Sequence, residues 1–163
     1  MNNPKGEELK FHIGSSFVAE LSGEDVKYFS ERRITRAEPV TLVFFSEKAD
    51  GNNEKIGFVE FDLRVINRNV YITFYVVPQY RGKGIGKLML RKALEFGFKE
   101  LNLRRITAEV YEYNERSLRL LESSGFKKEG ILKEAKYHNG RYWDIIVMGL
   151  MEEDWKNNEE FRR

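Results

Sequence analysis

The chain has 163 residues, with 28 Lys and Arg against 26 Asp and Glu, a net charge of +2 and 41% hydrophobic residues. That length suits one domain with a sizeable core, and so even a charge balance argues against nucleic acid as the main partner, which calls for a denser basic stripe. The absence of cysteine excludes disulfides, a Cys nucleophile and a thiolate metal site; with only His12 and His138, far apart in sequence, no metal centre is expected.

In chain order, Met1 to Lys10 is polar and unlike a signal peptide, and no apolar run approaches the roughly 20 residues that span a bilayer. The expectation is a cytoplasmic protein with no membrane partner. Phe11 to Leu21 reads as a first strand. Ser22 is placed to cap a helix through Ile34, with Asp25 completing a capping-box variant. Thr41 to Ser46 is apolar and β-rich, Lys48 to Glu54 has loop composition, and Ile56 to Ile66 reads as a long strand closed by a tight turn at Asn67-Arg68-Asn69. Val70 to Val77 is apolar on both faces, as a central strand buried on both sides would be.

Pro78 ends that strand and a glycine-rich loop follows at once. Ile85, Met89, Ala93 and Phe96 then recur at helical spacing, with Leu90, Leu94 and Leu101 widening the stripe. Arg105 to Tyr111 reads as a strand. Asn114 can cap a short helix carrying Leu118 and Leu121, which Gly125 can close. Ile131 to Tyr137 and Arg141 to Leu150 flank Asn139-Gly140, a strong hairpin signal. The expected architecture is a mixed α/β sheet in one domain over residues 1–155, with a charged, frayed tail over 156–163.

The chemistry concentrates in Arg81-Gly82-Lys83-Gly84-Ile85-Gly86-Lys87. Three glycines in five residues let the backbone turn tightly and approach a ligand. The loop enters a helix start, where N–H groups and the positive end of the dipole favour an anion, and Arg81, Lys83 and Lys87 add positive charge. The sum is a phosphate cradle. A nucleotide P-loop fails twice, because Arg81 stands where the first glycine is needed and Leu88 follows Lys87. A dinucleotide fingerprint fails on spacing, since the glycines run Gly-x-Gly-x-Gly.

These residues resemble the GCN5-related N-acetyltransferases, the GNAT superfamily, whose loop pattern Gln/Arg-x-x-Gly-x-Gly/Ala is met from Arg81 to Gly86. A second block, Asn114 through Ser117, Leu120 and Leu121 to Gly125-Phe126, is similar to the family's Asn-x-x-Ser block. A third, from Glu129-Gly130 through Asn139-Gly140, Asp144 and Met148, resembles the branch holding ribosomal-protein N-terminal and spermidine acetyltransferases. The resemblance implies a GNAT fold with the pyrophosphate loop between the central strand and a crossover helix. It implies acetyl-coenzyme A as co-substrate, with Phe74, Tyr75, Val76 and Val77 pairing with the pantetheine arm and backbone N–H groups of Arg81, Gly82, Lys83, Gly84, Ile85, Gly86 and Lys87 holding the pyrophosphate. Asn114 and the helix from Ser117 would flank the coenzyme.

A backbone N–H near Val76 is implied as oxyanion donor and Glu60 as base. Leu121 stands where many relatives carry the tyrosine that protonates the thiolate, and the resemblance to the ribosomal-protein branch, where a serine matching Ser117 has that role, implies Ser117 as the substitute donor. Tyr111, Tyr113 and Tyr142 are aromatic alternatives, and His138 beside the hairpin turn reads as a surface residue. The expected reaction is acetyl transfer to a primary amine, a protein N-terminus first and a polyamine or other small amine second, with homodimers common among relatives. A non-catalytic acyl-coenzyme A sensor is the reading from another class. RNA binding through Arg104, Arg105, Arg116 and Arg119 is weakened by Glu109, Glu112, Glu115 and Glu122 nearby.

Overall fold

The computed structural model describes residues 10–14, 39–47, 52–64 and 67–163. The expected helix from Ser22 to Ile34, and the first strand beyond Gly14, lie outside these residues. The elements are β1 (Lys10–Gly14), β2 (Val40–Glu47), β3 (Asn53–Arg64), β4 (Asn69–Val76), a 3-10 turn (Pro78–Tyr80), α1 (Ile85–Lys99), β5 (Arg105–Tyr111), α2 (Glu115–Ser123), β6 (Lys127–His138), β7 (Arg141–Met151), α3 (Glu152–Asn157) and α4 (Glu159–Arg162). The strands hydrogen-bond in the order β1-β2-β3-β4-β5-β7-β6. β4 and β5 are parallel with α1 as their crossover, whereas β1 with β2, β2 with β3, β5 with β7 and β6 with β7 are antiparallel. This is the mixed α/β sheet expected, and only a parallel pair needs a helix-length connection.

The chain forms two compact units, one of Met1–Leu63 with Thr73–Leu90 and one of Arg64–Ile72 with Arg91–Arg163. In the first, Leu42, Phe44, Val59 and Phe61 are fully buried, as inward positions of paired strands should be. β3 carries a bulge: Phe44 pairs with Gly57 and Phe45 with Lys55, leaving Ile56 without a partner on β2. The Ile56 carbonyl instead accepts the Val77 N–H at 2.8 Å.

β4 departs from expectation. Val70 and Ile72 are buried, but every residue from Thr73 to Val76 is only half-buried. The β4–β5 register runs from Asn69↔Arg105 to Ile72↔Ala108 and no further. Apolarity on both faces does not by itself reveal where pairing stops.

In the second unit Ile106, Leu121, Met148 and Leu150 form the core. Asn139 (φ 51) and Gly140 (φ 80) take the left-handed conformations of a two-residue hairpin turn between β6 and β7. The 156–163 segment is not frayed: α4 forms behind Asn158, whose side chain accepts from the Phe161 N–H, and Phe161 is buried. An apolar residue among charges was the signal for this. No helix among the described residues is long and apolar enough to cross a membrane.

β6 breaks register between Leu132 and Lys136, and Glu134 there has φ 51. One carboxylate holds this bulge, since Asp144 accepts from the Glu134 N–H (2.9 Å) and from Lys133 Nζ (2.8 Å). The Lys133 ammonium, then the Glu134 N–H, hold the Asp144 carboxyl below its ordinary value. A depressed folded-state value contributes stability above the ordinary aspartate range and loses it as pH falls through the depressed value. Amide-exchange protection of Glu134 should therefore be flat from pH 7 down to about 4 and fall below that. Asp144→Asn should lack the acid limb; an unchanged limb in that variant would refute the assignment.

Candidate functional site

The glycine-rich loop and its supports lie within the first unit. Gly82 (φ 77) and Gly84 (φ 79) both adopt left-handed backbone, and no atom lies within 4 Å of where a side chain would start on either. Residues from Arg81 to Gly84 are exposed. The Leu88 N–H donates to the Gly84 carbonyl, so the helical ladder begins at Gly84 and the N–H groups of Ile85, Gly86 and Lys87 precede it. The first turn of this 15-residue helix contains no acidic residue. Its positive end therefore meets no carboxylate of its own.

The cations are not all deployed as expected. Arg81 Nε donates to the Val76 carbonyl at 2.8 Å, and its guanidinium carbon lies 5.2 Å from the centroid of the Tyr75 ring. The Arg81 side chain thus turns back onto the end of β4 instead of standing over the loop. Lys83 Nζ lies 5.8 Å from the Tyr80 ring, and Gln79 donates to Glu54 at 3.1 Å.

Gly57 is the position that residue spacing did not flag. A side chain there would run into the Tyr75 carbonyl oxygen and stand 2.8 Å from Met89 Cε. The close approach of β3 to β4 requires glycine. Tyr75 also stacks on Phe58, 5.8 Å between centroids, beside Val43. Glu60 is half-buried on β3 and pairs in register with Thr41.

The other candidates lie in the second unit. Asn114 is exposed and caps α2, its Oδ1 accepting from the Ser117 N–H at 3.3 Å. Its amide nitrogen carries the remaining donors. Ser117 is half-buried. Leu121 is fully buried, so this position packs the core. Tyr113 stacks on His138 (4.9 Å), meets Trp143 edge-on (4.9 Å) and contacts Tyr111 (5.4 Å). His138 is therefore half-buried in an aromatic cluster, which corrects its reading as a surface residue. Trp143 Nε1 ties the cluster to the His138 carbonyl at 3.1 Å. Tyr142 is 62% exposed and pairs with Tyr137.

Arg105 forms a two-pronged pair with Glu129 and Arg119 bonds Glu115. This pairing removes two of the four arginines from any basic face for RNA. Glu129 also fills the space beside Gly149. Among the described residues no group of three or more His, Asp or Glu is arranged to hold a metal.

Comparison with known proteins agrees with this architecture. The family model described as the acetyltransferase (GNAT) family matches residues 8–126. A spermidine N(1)-acetyltransferase of Vibrio cholerae is 32% identical over 112 residues, 68% of this chain and 65% of that protein. YdaF of Bacillus subtilis, provisionally named a ribosomal N-acetyltransferase, is 30% identical over 98 residues, 60% of this chain and 54% of its own. The chain thus spans less than two thirds of the length of these curated relatives. Among solved structures, the spermidine/spermine N-acetyltransferase SpeG from Vibrio cholerae, in complex with manganese ions, matches with TM-score 0.72 at 26% identity, covering 91% of this chain and 95% of that one. A parallel β4–α1–β5 crossover entered through left-handed glycines, and a family match over most of the length, lead to one assignment: the chain belongs to the acetyltransferase (GNAT) family.

Proposed function

We propose that the protein transfers an acetyl group from acetyl-coenzyme A to a primary amine, with a small cationic amine of the polyamine kind as acceptor. The observation that carries the coenzyme half is the exposed pair of left-handed glycines opening onto a helix N-terminus free of acidic residues. Such an end binds a diphosphate through backbone N–H groups. In this reading the N–H groups from Arg81 to Lys87 hold the pyrophosphate, Phe74 to Val77 align the pantetheine arm, and Asn114 and Ser117 contact the coenzyme. The acceptor half rests on relatives: spermidine acetyltransferases appear both among similar sequences and among similar structures. They support the small amine over the protein N-terminus, which the sequence alone put first.

The chemistry asks for a base, an oxyanion donor and a proton for the leaving thiolate. Glu60 is assigned as base and as an attractor of a cationic amine. Ser117 is assigned as thiolate donor, because the buried Leu121 cannot serve.

Calorimetry with acetyl-coenzyme A and a thiol-release assay over spermidine, spermine and peptide N-termini test this reading. Binding with release on the polyamines is the expected result. Release on peptides alone would return the acceptor to a protein N-terminus. Tight binding with no release on any amine would favour the sensor reading, for which the missing tyrosine at Leu121 speaks. Glu60→Gln should lower kcat by about a hundredfold or more while leaving the coenzyme Kd unchanged; a kcat within twofold of wild type would remove Glu60 from the mechanism.

A further inference from the structure

The end of β4 is held by two bonds of opposite direction. The Val77 N–H donates to the Ile56 carbonyl of β3 at 2.8 Å. The peptide plane is rigid and trans, so the Val76 carbonyl of that same unit points away from β3. There it accepts from Arg81 Nε at 2.8 Å. One residue earlier, the Tyr75 carbonyl oxygen lies against Gly57 of β3, which by the same planarity aims the Val76 N–H away from β3. Both polar groups of Val76 therefore face one edge, beyond the last β4–β5 pairing at Ile72, and Arg81 occupies the carbonyl.

We propose that Arg81 is a positioning residue for acyl transfer: by capping the Val76 carbonyl it leaves the Val76 N–H as the group of this residue presented to the developing oxyanion. The proposal rests on the acetyltransferase reading above. In that reaction the amine nitrogen forms a bond to the thioester carbon and the carbonyl electrons move onto oxygen. The tetrahedral intermediate then collapses, breaking the carbon–sulfur bond, and the ammonium proton leaves to base while the thiolate takes up a proton. The oxyanion forms beside Val76. An uncapped carbonyl there would repel it, whereas one neutralised by a guanidinium would not, and the cation adds a favourable field. The 3-10 turn places Arg81 for this role, since its N–H bonds the Pro78 carbonyl at 3.1 Å and its backbone is extended (φ −70, ψ 150). The Tyr75 ring flanks the guanidinium. The alternative is a phosphate-binding cation, as the loop motif by itself suggests.

The two roles separate kinetically. Arg81→Met keeps the stem in an exposed position, so its urea midpoint should match wild type. It should lower kcat about tenfold to a hundredfold, leave the KM for acetyl-coenzyme A within about twofold, and leave the Kd for adenosine 3′-phosphate 5′-diphosphate unchanged, since uniform binding is not what was removed. In wild type the Arg81 Nε–H should resist solvent exchange. A variant whose loss lies in nucleotide affinity and KM, with kcat intact, overturns the proposal and makes Arg81 a phosphate ligand; so does a variant with wild-type kinetics. If wild type itself binds neither nucleotide nor acetyl-coenzyme A, or releases no thiol with any amine, the acetyltransferase reading fails and this proposal with it.

Discussion

Gly57→Ala should destabilise the protein by about 1–3 kcal/mol and abolish measurable acetyl-coenzyme A binding, the first being the range for overpacking a packed interior. The added methyl meets backbone, the Tyr75 carbonyl, besides the end of Met89. A flexible side chain yields at small cost; a strand carbonyl yields only by moving its strand. That strand end carries Val76 and Val77, whose bonds to Arg81 and Ile56 define the proposed thioester edge. Stability and binding should therefore fall together. The control is Gly130→Ala, also on a bulged strand, where no atom lies within 4 Å, and the effect should stay within about 0.5 kcal/mol. Urea midpoints and calorimetry on both variants check this. A Gly57→Ala protein with wild-type midpoint and affinity would show that β3 and β4 are not in close approach.

The opposite separation of fold and function is expected at the loop. Replacing Gly82 and Gly84 together by valine should weaken acetyl-coenzyme A binding about tenfold to a thousandfold, with little change in the thermal midpoint. Left-handed backbone costs an L-residue roughly 1–2 kcal/mol each, and each 1.4 kcal/mol is tenfold in affinity. The loop is exposed and a side chain there meets nothing. Free protein therefore escapes the strain by relaxing the loop, and the cost appears only when a diphosphate demands the cradle. Loss of affinity with an unchanged midpoint is the expected pattern. Unchanged affinity would mean that the amides of this loop do not hold the ligand, and the coenzyme half of the proposed function would fail.

Local chemistry sufficed wherever the cause was local. Asn139-Gly140 announced its own hairpin, Asn114 its helix cap, and the Gly82 to Gly86 run its turn into a helix, because each depends on φ preferences or on partners within a few residues. The strands and the crossover helix were legible through periodicity, which reports which face is buried. Three features were not. Gly57 looks like any glycine until β4 lies against it. Arg81 looks like a phosphate cation until the Val76 carbonyl is placed within its reach. Leu121 looks like a gap in a catalytic pattern until its side chain is found in the core.

What the amino-acid order determined alone, then, was most of the strands and helices between Thr41 and Leu150, the glycine run that turns into a helix, and the family. Tertiary structure decided which side chains meet across distant segments: Gly57 with Tyr75, Arg105 with Glu129, Asp144 with the bulge at Glu134. The physical reason is that periodicity and turn propensity act over a few residues, whereas a hydrogen bond or a steric clash between strands depends on register. Register is set by the sum of packing across the sheet, and a shift of one residue would exchange every partner.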